Sequence, residues 1–167
     1  MQTSTDNILW QKDAKYLYYH HGPLARTELG ENLVQGVDYV YTLQGWIKGV
    51  NSNSLSSQSD PGMDNFGMNI GTPSLNQNFA KDVYGYTLGY FDGDYQPIDM
   101  IKWNATNRFE ADKTASQLVA NRNNLYNGNI GSMVTTIVDP NNPSLPLPLG
   151  SAYKYDQLNR IILGNIL

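Results

Sequence analysis

The amino-acid sequence predicts an all-β protein built from stacked antiparallel β-hairpins, with long loops and at most one short helix. Two observations on composition support this prediction. The 167 residues include 12 Tyr, and they include 15 Gly together with 19 Asn. Tyrosine favours pleated strands, whereas Gly and Asn tolerate the positive-φ backbone of tight turns. The third observation is a spacing of these residues that recurs three times along the chain.

Composition also excludes several classes of protein. Only 16% of the residues are charged, against about 25% on average, which argues against a charge-rich disordered chain or a coiled coil. A net charge of -4 with 11 Lys and Arg argues against a nucleic-acid or anionic-membrane partner. No apolar stretch approaches the roughly 20 residues of a membrane span, and the first residues lack the features of a signal peptide. The absence of cysteine excludes disulfides, thiolate catalysis and cysteine-based zinc sites.

Three segments share one pattern, in which two tyrosines lie two residues apart and Gly or Asn follows six residues after the first tyrosine. The first copy, near 16–28, contains Tyr16, Tyr18, Gly22, Leu24 and Arg26. The second copy, near 39–50, contains Tyr39, Tyr41, Gly45, Trp46 and Ile47. The third copy, near 153–163, contains Tyr153, Tyr155, Asp156, Asn159, Arg160 and Ile161. Each copy predicts a hairpin, that is, a strand, a four-residue turn that ends in Gly or Asn, and a returning strand.

The segments between the hairpin units are less regular. Residues 51–78 are rich in Ser, Asn, Gly and Asp, which predicts a mobile loop or insertion rather than a core element. The patterns over 83–91 and 132–138 predict strands, and the spacing over 113–121 predicts one short helix. Prolines alternate within 139–150, and because proline donates no hydrogen bond, an extended loop is predicted there.

The hairpin units resemble a known family. The sequence of 153–161 resembles the YD-repeat signature Tyr-x-Tyr-Asp-x-x-Gly-Arg-Leu at nearly every position, with Asn159 in place of Gly. The stretch 16–50 looks like a variant found in bacterial RHS-repeat proteins, and 125–130 is similar to the same branch. The resemblance therefore covers most of the chain except 51–78 and 98–122.

The resemblance implies a spiral shell of β-hairpins, related to teneurins and toxin-complex subunits, that encloses or presents a C-terminal cargo. It also implies a secreted or cell-surface location. The chain contains no Asp-Pro-x-Gly-Leu type cleavage sequence and no toxin domain, so no toxin activity is carried over. Stacked repeats need neighbours, so the strand edges at 16–20 and 152–162 are expected to pair with remaining repeats or with another chain.

Candidate catalytic and metal-binding patterns are weak. His20 and His21 are adjacent, so on a strand they would point to opposite faces and could not easily bind one metal ion. The Asp-Gly-Asp segment 92–94, with Asp99 nearby, offers oxygen ligands for calcium but lacks the ligand spacing of a calcium loop and is better interpreted as a hairpin turn with solvated aspartates. Asp92 with Glu110 is one of many carboxylate pairs that glycoside hydrolysis could use. We therefore assign no catalytic, cofactor-binding or metal-binding residue.

Exposed aromatic residues support an alternative function. A stacking platform for a glycan needs aromatic rings beside a few polar groups. The candidate residues for such a platform are Trp46, Tyr84, Tyr86, Tyr90, Tyr95 and Trp103. The leading hypothesis remains a non-catalytic structural fragment of an RHS/YD-repeat shell; the alternatives are a carbohydrate-binding β module and a glycosidase-like enzyme.

Overall fold

The computed structural model describes residues 1–57, 59–65, 76–97 and 123–166. Within these ranges the chain forms ten strands and no helix. In chain order the strands are β1 (Gln2–Thr3), β2 (Gln11–Lys12), β3 (Ala14–Tyr18), β4 (Leu24–Leu29), β5 (Gln35–Tyr41), β6 (Ile47–Val50), β7 (Tyr84–Gly89), β8 (Ser132–Asp139), β9 (Asn142–Tyr155) and β10 (Ile161–Ile166).

Strands β3 to β10 form one antiparallel sheet of eight strands, and each strand pairs with its neighbours in chain order. Strands β1 and β2 form a separate two-stranded ribbon. The prediction of an all-β fold of antiparallel hairpins is therefore confirmed. The outer strands of the large sheet are β3 and β10, each of which has a strand partner on one side only within the described ranges. None of the described residues belongs to a helix with the length and apolar character that a membrane crossing requires.

The three predicted hairpins have the same turn. The left-handed residues at these turns are Gly22 (φ 112°), Gly45 (φ 83°) and Asn159 (φ 59°). Their N–H groups donate to the carbonyl three residues earlier, which belongs to Tyr19 (2.9 Å), Thr42 (3.0 Å) and Asp156 (3.1 Å) respectively. This is the geometry of a turn closed by a left-handed residue, and it explains why Gly or Asn stands at this offset.

Each of these hairpins also contains a bulge at the same place. The strand register skips one residue on the returning strand, three positions after the left-handed residue. The skipped residues are Ala25, Lys48 and Ile162. A bulge adds local twist and turns one side chain relative to its neighbours. The three units therefore share their backbone geometry as well as their sequence offsets.

The prediction of a proline-rich loop over 139–150 is wrong from Asn142 onward, because this segment belongs to β9. Strand β8 pairs with β9 along this segment, with Thr136 opposite Pro148, whereas β10 pairs only with Ser151–Tyr155. One side of the segment therefore has no strand partner within the described ranges and forms an edge there. Residues two apart on a strand direct their backbone N–H groups to the same side. Because proline has no N–H group, alternating prolines lack donors on one side, and this is tolerated where that side has no partner strand.

The segment 51–78 contains no strand or helix in its described parts, as expected for a loop. The prediction that it lies outside the core is wrong, because Leu55, Asp60 and Asp64 are buried. Asn51 shows how a polar loop packs on the sheet: its Oδ1 accepts the Asp38 N–H at 2.8 Å and its Nδ2 donates to the Tyr84 carbonyl at 2.9 Å. Buried polar side chains are tolerated where they find such partners.

The strands predicted over 83–91 and 132–138 are present as β7 and β8. The short helix predicted over 113–121 lies outside the described residues.

Candidate functional site

The residues of the repeat motif have different environments. Tyr16 and Tyr18 are exposed on β3, whereas Tyr39 and Tyr41 are half-buried on β5. Arg160 lies at an exposed turn, where its Nε donates to Asp156 Oδ2 at 2.7 Å. Backbone hydrogen bonds and the Arg160 side chain lower the pKa of Asp156, so the ionised carboxylate stabilises the third turn.

Arg26, on β4, is the buried member of the motif. Its guanidinium lies between two carboxylates, with Nη1 donating to Asp38 Oδ2 on β5 and Nη2 donating to Asp64 Oδ1 at 2.6 Å. The guanidinium carbon is 4.5 Å from the centre of the Phe79 ring, an arrangement that adds a cation–π contact. Its Nε is 3.9 Å from Glu28 Oε1. Arg26 therefore joins β4, β5 and the loop after β6.

Two glycines make room for this guanidinium. A Cβ atom at Gly36 would be 2.0 Å from Arg26 Nη2, and a Cβ atom at Gly62 would be 2.0 Å from Nη1. Real Cβ atoms do not approach other atoms so closely. Both positions require glycine because the charged groups pack directly against the backbone.

Further carboxylates surround the pair of carboxylates that hold Arg26. Asp60 Oδ2 accepts the Asp64 N–H at 3.1 Å, and Asp82 Oδ1 accepts Gln35 Nε2 at 2.8 Å. The Asp60 and Asp82 carboxyl groups are within hydrogen-bonding reach of each other. We call the five charged residues together the Arg26 cluster, and they are Arg26, Asp38, Asp60, Asp64 and Asp82.

The Arg26 cluster contains four carboxyl groups and only one cationic group. Burial and the nearby Asp60 carboxylate raise the pKa of Asp38 to about 8, although Arg26 opposes the rise. Burial raises the pKa of Asp64 to about 6, again against the effect of Arg26. Burial also raises the pKa values of Asp60 and Asp82, and Asp60 adds to the rise at Asp82. These directions follow because the four carboxyl groups are buried close to one another, and a single guanidinium offsets only part of the cost of their charges.

Three members of the cluster have the geometry of a cation site. Asp38, Asp60 and Asp64 each offer a carboxylate oxygen, and these oxygens lie within 4.8 Å of one another. Asp60 Oδ1 and Asp64 Oδ2 are buried and receive no hydrogen bond from the described residues. The sequence analysis assigned no metal ligand and missed this cluster. One sequence signal was present, since Asp38 stands two residues before Val40, and the period of two in a strand places both side chains on the same face.

A second buried ionic site contains Lys48 of β6. Its Nζ donates to Asp94 Oδ1 at 2.7 Å, and Asp94 Oδ2 accepts the Tyr90 N–H at 2.8 Å. The Asp-Gly-Asp segment 92–94 forms a turn with Gly93 at a φ of 74°. Asp92 is exposed and contacts Asn124, so the two aspartates of this segment do not face a common point. The interpretation as a turn fits, but Asp94 is buried rather than solvated.

The aromatic residues considered for glycan stacking do not form one exposed platform among the described residues. Tyr90 is only 4% exposed, and its hydroxyl donates to the Ile47 carbonyl at 2.8 Å. The Trp46 ring lies 5.0 Å from the Tyr90 ring, centre to centre. The Tyr84 and Tyr86 rings form a separate pair with a centre distance of 6.1 Å.

The remaining candidates are dispersed. His20 and His21 are exposed in the first turn, and the His21 ring stacks on Tyr19 at 5.5 Å. Tyr95 is half-buried. The other residues named for calcium, glycan or glycosidase chemistry, which are Asp99, Trp103 and Glu110, lie outside the described ranges.

Comparisons of the chain with protein-family models, with curated proteins and with solved structures found no match.

Proposed function

We propose that this chain is a non-catalytic structural segment of an RHS/YD-repeat shell. The shell belongs to a secreted or cell-surface protein and encapsulates or presents a C-terminal cargo, such as a toxin or an adhesin. The partners of the segment are the remaining repeats of a longer chain, or another chain that pairs with its sheet edges.

The observation that carries this proposal is the backbone geometry that the three hairpin turns share. All three have a left-handed residue at the same offset and a skipped residue three positions later. Identical backbone units in sequence order are typical of repeat architectures, in which each unit buries its surface against the next. The resemblance to YD repeats falls on these same residues.

The outer strands give the proposal its partner surface. The β3 and β10 edges have no strand partner among the described residues, and both have exposed apolar side chains. Tyr18 on β3 and Ile162 on β10 are each 64% exposed. A strand edge of this kind is a template for pairing with another strand. Pairing of a β10 edge with the β3 edge of the next unit would extend the sheet in one direction, as a shell requires.

Neither alternative function has a specific observation in its favour. A carbohydrate-binding module would need several accessible rings on one face, and Tyr90 is buried. A glycosidase would need a second acid near Asp92; the Asp92 contact that the structure describes is with the Asn124 amide, and Glu110 lies outside the described residues.

Edge variants test the proposal. Tyr18→Lys and Ile162→Lys place a charge beside β3 and β10 respectively, and charged side chains on an edge oppose strand pairing. Sedimentation velocity over a concentration series should show association of the unaltered chain and less association of both variants. Leu43→Lys is the matched control, because Leu43 is 90% exposed in the second turn and away from both edges. A chain that stays monomeric at every concentration, or an equal effect of Leu43→Lys, would contradict the proposal.

A further inference from the structure

We propose that the Arg26 cluster binds one divalent cation, for which calcium is the best fit, through carboxylate oxygens of Asp38, Asp60 and Asp64. This site is independent of the proposed shell function, because its three ligands lie on β5 and on the loop after β6 and not on the outer strands β3 and β10 that the edge variants change. Asp60 and Asp64 reach the cluster from the loop after β6, and Asp38 comes from β5.

The spacing of the three oxygens fits a single ion. Calcium binds oxygen at about 2.3–2.6 Å, so two oxygens on one ion are at most about 5 Å apart. The oxygens offered by Asp38, Asp60 and Asp64 lie within 4.8 Å of one another. All three ligands are carboxylates, and such hard oxygen ligands select calcium, magnesium or manganese rather than a thiophilic metal.

Two buried oxygens point to an absent partner. Asp60 Oδ1 and Asp64 Oδ2 accept no hydrogen bond from an N–H or hydroxyl donor among the described residues, and both residues are only 1% exposed. The Asp82 carboxyl group reaches Asp60 but can donate to it only when it carries a proton. Arg26 uses the other oxygen of Asp64, so it does not satisfy Oδ2. A buried charged oxygen without a partner is costly, and a cation removes that cost.

The formal charge of the ionised cluster also favours the binding of a cation. Four aspartates and one arginine have a formal charge of -3 when all are ionised, and a divalent ion reduces it to -1. Calcium suits this buried site better than magnesium, because magnesium releases its water ligands reluctantly.

Thermal unfolding of the 167-residue chain at a pH of about 8 tests the proposal. Calcium at about 5 mM should raise the unfolding midpoint by about 5 °C or more relative to a chelator, because a ligand of the native state stabilises it. Magnesium at the same concentration should raise it less. Titration calorimetry with calcium chloride should give one ion per chain. An unchanged midpoint together with no heat of binding would overturn the proposal and leave protons as the groups that neutralise the cluster.

Two variants locate the binding. Asp60→Asn and Asp64→Asn keep the side-chain shape and remove one ligand charge each, so both should lose most of the response to calcium. Asp92→Asn is the matched control, because Asp92 is an exposed aspartate that belongs to another turn. The control should respond like the unaltered chain. Full responses of both cluster variants, or loss of the response in Asp92→Asn, would place the ion elsewhere and refute this site.

Discussion

Arg26 and Lys48 are both buried cations on the eight-stranded sheet, yet their surroundings differ in charge. Among the residues that the structure describes, the Lys48 ammonium donates to the carboxylate of Asp94, whose second oxygen accepts the Tyr90 N–H. The Arg26 cluster contains four carboxyl groups and one guanidinium, which pairs with Asp38 and Asp64, and two of its oxygens have no N–H or hydroxyl donor among the described residues. Burial alone therefore does not determine whether a charged site needs a ligand. The number of carboxyl groups relative to cationic groups determines it.

Replacing Arg26 should have the largest effect. Arg26→Met keeps a similar volume but leaves the cluster's carboxylates buried without their cation, which is strongly destabilising. We expect a loss of about 4–5 kcal/mol in the free energy of unfolding. Urea denaturation measures it, and a loss below about 1 kcal/mol would show that protons alone neutralise these carboxylates.

Replacing Lys48 should have a smaller and more reversible effect. Lys48→Met should lower the free energy of unfolding by about 3 kcal/mol, because the Asp94 carboxylate stays buried without the ammonium group. Adding Asp94→Asn should recover at least half of this loss, since an amide oxygen can still accept the Tyr90 N–H. Adding a single Asp→Asn change to Arg26→Met should recover less, because three carboxylates remain. Urea denaturation of the two double variants measures the stability that each recovers. Equal recovery would contradict the proposed difference between the two sites.

Stability should fall with rising pH in the presence of a chelator. The native-state pKa values of Asp38 and Asp64 are raised to about 8 and about 6, above the value of an unfolded aspartate. The native state therefore keeps protons that the unfolded state releases, so this stabilisation is complete below the unfolded pKa and is lost as pH rises through the native values. We expect the free energy of unfolding to fall steadily between about pH 5 and 8. Denaturation at several pH values measures it, and a smaller slope in Asp38→Asn would assign the effect to this cluster.

The hairpin turns should give the smallest effect and serve as a reference outside both ionic sites. Gly45→Ala should cost about 1 kcal/mol because alanine disfavours the φ of 83° at this position. Nothing lies within 4 Å of a Cβ atom there, so backbone conformation is the main cause. Gly45→Asn should cost less, because Asn159 adopts a positive φ in the third turn. Thermal unfolding compares the two variants, and equal losses would argue against this explanation.

The hairpins could be predicted because their signals are local. Gly22, Gly45 and Asn159 each stand within seven residues of the tyrosines that mark their strands. The strand that contains Pro148 could not be predicted in the same way. Whether a proline is tolerated depends on which side of the strand has a partner, and that is decided by where β10 ends.

The Arg26 cluster could not be assembled from local patterns. Asp38 and Asp64 are 12 and 38 residues away from Arg26 in sequence, and they meet it only because β4 pairs with β5 and the polar loop folds back. The composition of 51–78 predicts a loop or insertion rather than a core element, since the sequence does not show that its aspartates find a buried cation. Asp94 was misjudged for the same reason, because its partner Lys48 is 46 residues away.

The most direct test of the shell proposal is the mass of the native protein from its source cells, measured by light scattering beside the 167-residue chain. We expect a native particle far larger than 18.7 kDa, and association of the 167-residue chain through its β3 and β10 edges. A native monomer of about that mass, with a 167-residue chain that stays soluble and monomeric, would contradict the shell proposal.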